Sequence, residues 1–268
     1  MGRCAVRLVT TDAVGRMDPA ALRAAIEADR AAGRVPVMTA ATAGTTNAGM
    51  IDPLTSIAAI AREAGTWFHV DAAWGGAALA SDRLRGKLAG IELADSVTID
   101  AHKWFATTMG CGMFLTSHAG VLPQAFQVAT SFMPSAEASR DPYMNSMQWS
   151  RRCLGLRLFL SLATVGWQGY AVHTERAVTL AARLQDGLRG IGWQVVNASP
   201  LAVVCAVPPK GGNNVVGTVK QVVRGGDAWI STTSYQGRTV LRACITHGET
   251  SEADVDRLVQ LVAAASAG

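Results

Sequence analysis

Apolar and polar residues alternate along the first hundred positions in a pattern that predicts short strands separated by amphipathic helices. The segment DPAALRAAIEADRAAG has Asp18 as a helix cap and Pro19 at the first helical position, and it stops at Gly33. Asp52 and Pro53 predict the same start for a second helix, which ends at a glycine. Strands are predicted at residues 7–10, 35–40 and 67–71 and within SVTID.

This order of strands and helices predicts an α/β fold with a mostly parallel sheet and helices packed on its faces. In such sheets, ligands bind beyond the carboxyl ends of the strands. Three segments fall at that edge: the turn ATAGTTNAG, the end of FHVD and the segment HKW that follows SVTID. The sequence therefore predicts one functional edge of the sheet.

The second half of the chain predicts a smaller unit. After a strand in GCGMFLTS, residues 129–145 are irregular, and helices are predicted at residues 150–164 and 169–189. Strands then alternate with one helix at 213–224, and a terminal helix starts at Ser251. We expect two domains: residues 1–156, a part of a large domain, and residues 157–268, a small α+β domain.

Composition narrows the class of protein. The chain has 268 residues, is 49% hydrophobic and carries a formal charge of +4. It contains neither the long apolar run of a membrane span nor the apolar core of a secretory signal, so we expect a cytoplasmic protein with no membrane contact. No basic run is interleaved with aromatics, which argues against nucleic acid. The cysteines are scattered and the histidines lack metal-ligand spacing, so no metal site is predicted.

Asp71 and Lys103 carry the chemistry that the motifs suggest. A lysine amine can form a Schiff base with an aldehyde cofactor, whereas the arginines that supply most of the positive charge cannot. A carboxylate beside a pyridine nitrogen keeps that nitrogen protonated. Taken alone, Asp71 could be a turn former and Lys103 an ordinary surface lysine. Their positions after two buried strands favour the functional interpretation.

Three further groups are candidates at the same edge. Thr45, in the turn Gly44-Thr45-Thr46, could bind a ring substituent or a carboxylate, or belong to a plain turn. His102 places a hydrogen-bonding group beside the lysine. His69 lies two residues before the aspartate and should point to the same face of the sheet. For that histidine, a buried side chain with satisfied hydrogen bonds is the alternative.

The motifs TAGTTNAGMIDP, FHVDAAWGG, ADSVTIDAHKW and QWSRR together resemble the group II pyridoxal-phosphate-dependent amino-acid decarboxylases. The resemblance implies an aminotransferase-like fold of type I, pyridoxal 5'-phosphate as cofactor, an L-amino acid as substrate and a homodimer. It implies that Lys103 is the Schiff-base lysine and Asp71 the partner of the pyridine nitrogen. Ala73 would lie against one ring face, and Thr45 and His102 would lie near the cofactor.

Two departures from that family leave alternatives open. The family's large domain begins well before the point that matches Met1, and the preceding portion carries a stacking histidine and a phosphate-binding turn. We therefore expect a C-terminal portion of a longer enzyme, and a non-catalytic remnant is one alternative. Phe132 matches the tyrosine that protonates the carbanion, an exchange associated with oxidative deamination to an aldehyde, although Tyr143 could act instead.

Overall fold

The computed structural model describes residues 2–126, 142–209 and 214–267. The first sheet has four strands in the order β1-β2-β3-β4: β1 Met38–Thr42, β2 Trp67–Asp71, β3 Ser96–Asp100 and β4 Gly112–Thr116. The first three strands are parallel and β4 is antiparallel. The predicted α/β class with a mostly parallel sheet is confirmed.

Two helices from the first third of the chain pack against each other, and the second of them packs against the sheet. In α1 (Pro19–Ala31) the Asp18 side chain accepts a hydrogen bond from the Ala20 N–H, as predicted. Helix α2 (Leu54–Glu63) buries apolar residues against β1 and β2, with Ile57 fully buried. The short α3 (Asp82–Arg85) and a 3-10 helix at Gly75–Ala80 follow β2.

Asp52 does not cap α2, so that prediction is wrong. The helix begins at Leu54, and the Asp52 carboxylate instead accepts the backbone N–H groups of Met17 (2.7 Å) and Thr42 (2.8 Å). Burial raises the pKa of this carboxyl group. The aspartate thus joins the N-terminal segment to the end of β1, because two backbone donors outside the helix lie within its reach.

The predicted first strand, residues 7–10, is also wrong. Residues 7–10 pair with no strand in the described part of the chain, and Leu8 is 89% exposed. It is held at the surface by Arg7, whose guanidinium bonds both oxygens of Asp29 in α1. The strand predicted at residues 35–40 begins later, at Met38, because its partner β2 begins at Trp67 and the two strands pair residue by residue.

The two helices predicted at residues 150–164 and 169–189 are confirmed as the two parts of α5 (Gly155–Gly190), which meet at Gly166. The backbone of Gly166 is not helical, with φ +66° and ψ 176°. Glycine adopts this positive φ without a Cβ penalty, so the first helix ends and the second begins with no longer loop between them. A short helix, α4 (Val121–Phe126), ends the first described range of the chain.

The second sheet is antiparallel, with the order β5-β6-β8-β7. Its elements are β5 Gln194–Val195, β6 Val203–Val207, α6 Val215–Gly225, β7 Ser231–Tyr235, β8 Arg238–Cys244 and α7 Glu252–Ala267. All five residues of β6 are buried. Helix α5 packs against the Gly75–Ala80 helix and also against α7, β5 and β6. The boundary between residues 156 and 157 falls just inside α5 and stays a prediction.

The two faces of the first sheet differ. Along β2, Phe68 and Val70 are buried under the helices, whereas Trp67, His69 and Asp71 point to the opposite face and are more exposed. We call this second side the open face. Parallel sheets normally have both faces covered, so the open face is the side on which further protein or a ligand can lie. None of the helices in the described ranges combines the length and apolar character needed to cross a bilayer.

Candidate active site

The ends of β2 and β3 bring the two central candidates to one edge of the sheet. Asp71 is the last residue of β2 and pairs with Thr98 of β3, and Lys103 lies in the turn that follows β3. Backbone hydrogen bonds from Ala72 N–H to Thr98 O (2.9 Å) and from Asp100 N–H to Ala73 O (2.9 Å) join the segments beyond them. Both side chains therefore belong to the carboxyl edge that the sequence predicted.

The carboxylate of Asp71 is exposed on the open face. Its Oδ1 accepts the Ala73 N–H at 2.9 Å, which fixes the carboxyl group across the start of the next turn. Within the described part of the chain, the structure gives no hydrogen-bond partner to its other oxygen. Asp71 can therefore accept a hydrogen bond from a ligand on this face. Ala73 adds only a methyl group beside it, so a flat ring can approach closely.

The amine of Lys103 forms an ion pair with Asp100, at 2.9 Å between Nζ and Oδ2, and its side chain is 40% exposed. His102 lies beside the same carboxylate, 3.9 Å from Oδ2, and its Nδ1 lies 3.1 Å from the Cys111 carbonyl. Asp100 therefore organises both candidates of the HKW motif. Sequence reasoning passed over Asp100, although an acidic residue at the end of an apolar strand was the signal.

His69 points to the same face as Asp71, as expected from the two-residue period of a strand. Its Nδ1 lies 2.8 Å from the Ser96 hydroxyl and its Nε2 lies 3.4 Å from the Thr98 hydroxyl, while its ring stacks on Phe114 at 6.3 Å. Both ring nitrogens thus have neighbours within the sheet. This arrangement agrees with the alternative of a satisfied histidine, on the surface that a ligand would share.

Thr45 lies in the turn after β1, half-buried, and its Oγ1 accepts the Met50 N–H at 3.0 Å. The turn starts beside Asp71, since the Ala43 N–H donates to the Asp71 carbonyl at 2.8 Å. Phe132 lies outside the described residues. Tyr143 is described, and its ring packs against Trp149 with centroids 5.4 Å apart.

Two tryptophans support the site from the side of the core. Trp74 and Trp104 stack with ring centroids 4.5 Å apart and planes 4° from parallel. One follows the Asp71 segment and the other directly follows Lys103, so their contact ties the two motifs together. The carbonyl of Trp104 lies 3.1 Å from Nε2 of His173 in α5. Burial lowers the pKa of this histidine below its usual value, which favours the neutral ring.

These residues suit an aldehyde cofactor with a pyridine ring. The set contains a partly exposed primary amine, a carboxylate with one oxygen that has no partner among the described residues, and a small residue beside that carboxylate. In the described ranges, no cluster of three or more His, Cys, Asp or Glu side chains could hold a metal ion.

Comparison with known proteins identifies the family of the chain. Residues 1–205 match the model of the pyridoxal-dependent decarboxylase conserved domain. The aromatic-L-amino-acid decarboxylase of Bacillus atrophaeus is 27% identical over 269 residues, covering 96% of this chain and 56% of that protein. The phenylacetaldehyde synthase of Arabidopsis thaliana is 28% identical, with coverages of 96% and 55%.

One solved structure of a similar protein contains the cofactor. The crystal structure of Oryza sativa TDC with PLP and tryptamine superimposes with a TM-score of 0.87 at 27% identity, covering 94% of this chain and 55% of that one. The chain thus spans little more than half the length of these relatives, and pyridoxal phosphate is the cofactor that they indicate. The family match and the fold agree: the chain belongs to the pyridoxal-dependent decarboxylase family.

Proposed function

We propose that this chain carries the lysine and aspartate of an enzyme that decarboxylates an L-amino acid, with pyridoxal phosphate as cofactor. The observation that carries the proposal is the placement of Asp71 and Lys103 at the carboxyl edge of adjacent parallel strands. Family membership agrees with it. Because the relatives are nearly twice as long, the activity refers to the protein in which this segment works.

Each residue has a role in this proposal. When bound, pyridoxal phosphate supplies the electron sink that accepts the pair left as the carboxylate departs as CO2. Asp71, through the oxygen that has no partner among the described residues, would hold a proton on the ring nitrogen, and Lys103 would hold the cofactor at its aldehyde carbon through Nζ. Asp100 orients that amine, and His102 adds a second polar group beside it. Thr45 and Ala73 orient the ring from the neighbouring turns, and His69 lies on the same face.

The substrate class is an L-amino acid, and we propose an aromatic one because the bacterial relative is an aromatic-L-amino-acid decarboxylase. A second candidate is oxidative deamination to an aldehyde. Two observations favour considering it: Phe132 has no proton to give, and the Arabidopsis relative is named phenylacetaldehyde synthase. Tyr143 could supply the proton instead, and that would favour the amine.

A product assay tests the proposal. With pyridoxal phosphate and a panel of L-amino acids, we expect CO2 and amine in equal amounts, with an aromatic substrate preferred. In the oxidative alternative, oxygen is consumed, and aldehyde, ammonia and hydrogen peroxide accompany CO2. The Phe132→Tyr variant should then form the amine with little peroxide. Absence of CO2 from every amino acid would contradict the enzyme and favour a non-catalytic remnant.

We also propose a homodimer. The first half of α5 exposes a continuous apolar stripe, with Leu156 49%, Phe159 64% and Leu160 54% exposed. Residues spaced by three and four positions share one helix face, and large exposed apolar patches mark interaction surfaces. A second copy of the chain would cover this stripe.

Light scattering tests the dimer. We expect twice the chain mass of 28.0 kDa for the unmodified chain and the monomer mass for Phe159→Glu. The matched control is Trp229→Glu, because Trp229 is 79% exposed and lies outside α5. This control should leave the mass of the dimer unchanged. A monomer in the unmodified chain would contradict the proposal.

A further inference from the structure

Four consecutive carbonyl groups of the turn after β1 accept hydrogen bonds from side chains of the second sheet and of the segment between two of its strands. Arg242 Nε donates to Thr46 O (2.8 Å), Cys205 Sγ to Asn47 O (3.3 Å), Asn197 Nδ2 to Ala48 O (2.7 Å) and Ser199 Oγ to Gly49 O (2.7 Å). The four donors come from β6, β8 and the segment between β5 and β6. Each backbone acceptor of residues 46–49 therefore has its own side-chain donor.

The donors are themselves fixed. Asn197 is 5% exposed, and it also donates to Val203 O (2.9 Å) and accepts the Cys205 N–H (2.8 Å), so its amide group bridges the turn and β6. Burial raises the pKa of the Cys205 thiol to about 11, which keeps the proton that it donates. Ser199 Oγ accepts the Leu201 N–H at 3.1 Å. The side chains of Asn197 and Ser199 are therefore each fixed by a further hydrogen bond besides the one to the turn.

The turn also packs against the segment that follows Asp71. Gly44 packs so closely against Gly75 that a Cβ on Gly44 would lie 3.1 Å from the Gly75 backbone. Thr45 Oγ1 accepts the Met50 N–H, and no acceptor for its own hydroxyl proton lies among the described residues. The position of this hydroxyl relative to Asp71 is thus set by the turn, and the turn is set by the second sheet.

We propose that Asn197, Ser199 and Arg242 are positioning residues for the cofactor site and act through Thr45. The inference rests on the proposed function, since it assumes that Thr45 orients the pyridoxal ring. It assigns the C-terminal sheet a part in cofactor binding, although none of these three side chains lies at the edge that carries Asp71 and Lys103. A purely structural role for the same contacts would change stability and leave cofactor affinity unaltered.

Ser199 gives the sharpest test. Pyridoxal phosphate is titrated into the full chain and followed by the visible absorption of its imine, and melting temperatures are recorded in parallel. Loss of one neutral hydrogen bond, expressed through the turn, should weaken cofactor binding by about fivefold in Ser199→Ala. Ser199→Thr keeps the hydroxyl and should restore the affinity. Ser56→Ala, an exposed serine of α2, is the matched control and should bind as the unmodified chain does.

A double-mutant cycle shows whether the effect passes through Thr45. In a Thr45→Val background, Ser199→Ala should weaken cofactor binding by much less than fivefold, because the group that it positions is gone. A lower melting temperature with unchanged cofactor affinity in Ser199→Ala, or full additivity in the cycle, overturns the inference alone. Absence of imine absorption in the unmodified chain removes both the inference and the proposed function. If Ser199→Ala does not fold, Arg242→Met gives the same comparison.

Discussion

Lys103→Ala is expected to lose the visible imine absorption completely when pyridoxal phosphate is added, whereas the unmodified chain gains it. The physical reason is that the imine requires the deprotonated amine of a lysine at the carboxyl edge of the sheet. The exposed amine, paired only with Asp100 among the described residues, can exchange that contact for the aldehyde. Absorption spectra recorded during titration with the cofactor measure the effect.

Two further variants show whether the absorption is lost because no imine can form or because a positive charge is missing, and whether the loss is specific to Lys103. Lys103→Arg keeps a cation beside Asp100 but cannot form an imine, so it should resemble the alanine variant. Lys87→Ala removes an exposed lysine far from the HKW motif in sequence and should leave the absorption unchanged. An unaltered spectrum in Lys103→Ala would sink the assignment of this lysine.

Gly75→Ala is expected to destabilise the fold by about 3 kcal/mol or more, because overpacking against a rigid neighbour is costly. A Cβ at this position would lie 2.1 Å from the carbonyl oxygen of Ala43 and 3.0 Å from its carbonyl carbon. Both atoms are backbone, so no side chain can rotate away. The clash would separate the Thr45 turn from the segment that follows Asp71. Urea unfolding measures the loss.

Gly86→Ala is the control for that substitution. Its backbone is right-handed helical, with φ −62° and ψ −17°, and an added Cβ would have no neighbour within 4 Å. We expect it to be neutral or to stabilise by about 0.5 kcal/mol, because alanine restricts the unfolded chain. Equal stabilities for the two alanine variants would show that the turn and the Gly75 segment do not pack as described.

Local patterns were sufficient for much of the fold. The Asp18 cap, β2 and the class of the sheet follow from residues close in sequence, and they were predicted correctly. The wrong predictions concern segments whose structure depends on contacts with residues outside the segment. Residues 7–10 have strand-like composition but no neighbouring strand, and Asp52 bonds backbone groups of Met17 and Thr42 in place of its own helix.

For the candidate site too, some residues could be predicted from local sequence and others only from the fold. Asp71 and Lys103 could be chosen from sequence because the first ends a short strand, the second follows one, and each carries a chemically specific group. The role of Asp100 at the lysine needed the geometry of the turn after β3. The contact between Asn197 and Ala48 joins residues far apart in sequence through the packing of two sheets. No local pattern encodes such a contact, so these positioning residues could not be found before the fold.

The central claim is that one amine at this sheet edge binds the cofactor aldehyde. Reduction with borohydride after addition of pyridoxal phosphate fixes that bond, and mass analysis of the digested protein then locates it. The account predicts a single pyridoxyl group on the peptide that contains Lys103. A label on Lys87, Lys210 or Lys220 in its place, or no label at all, would contradict it.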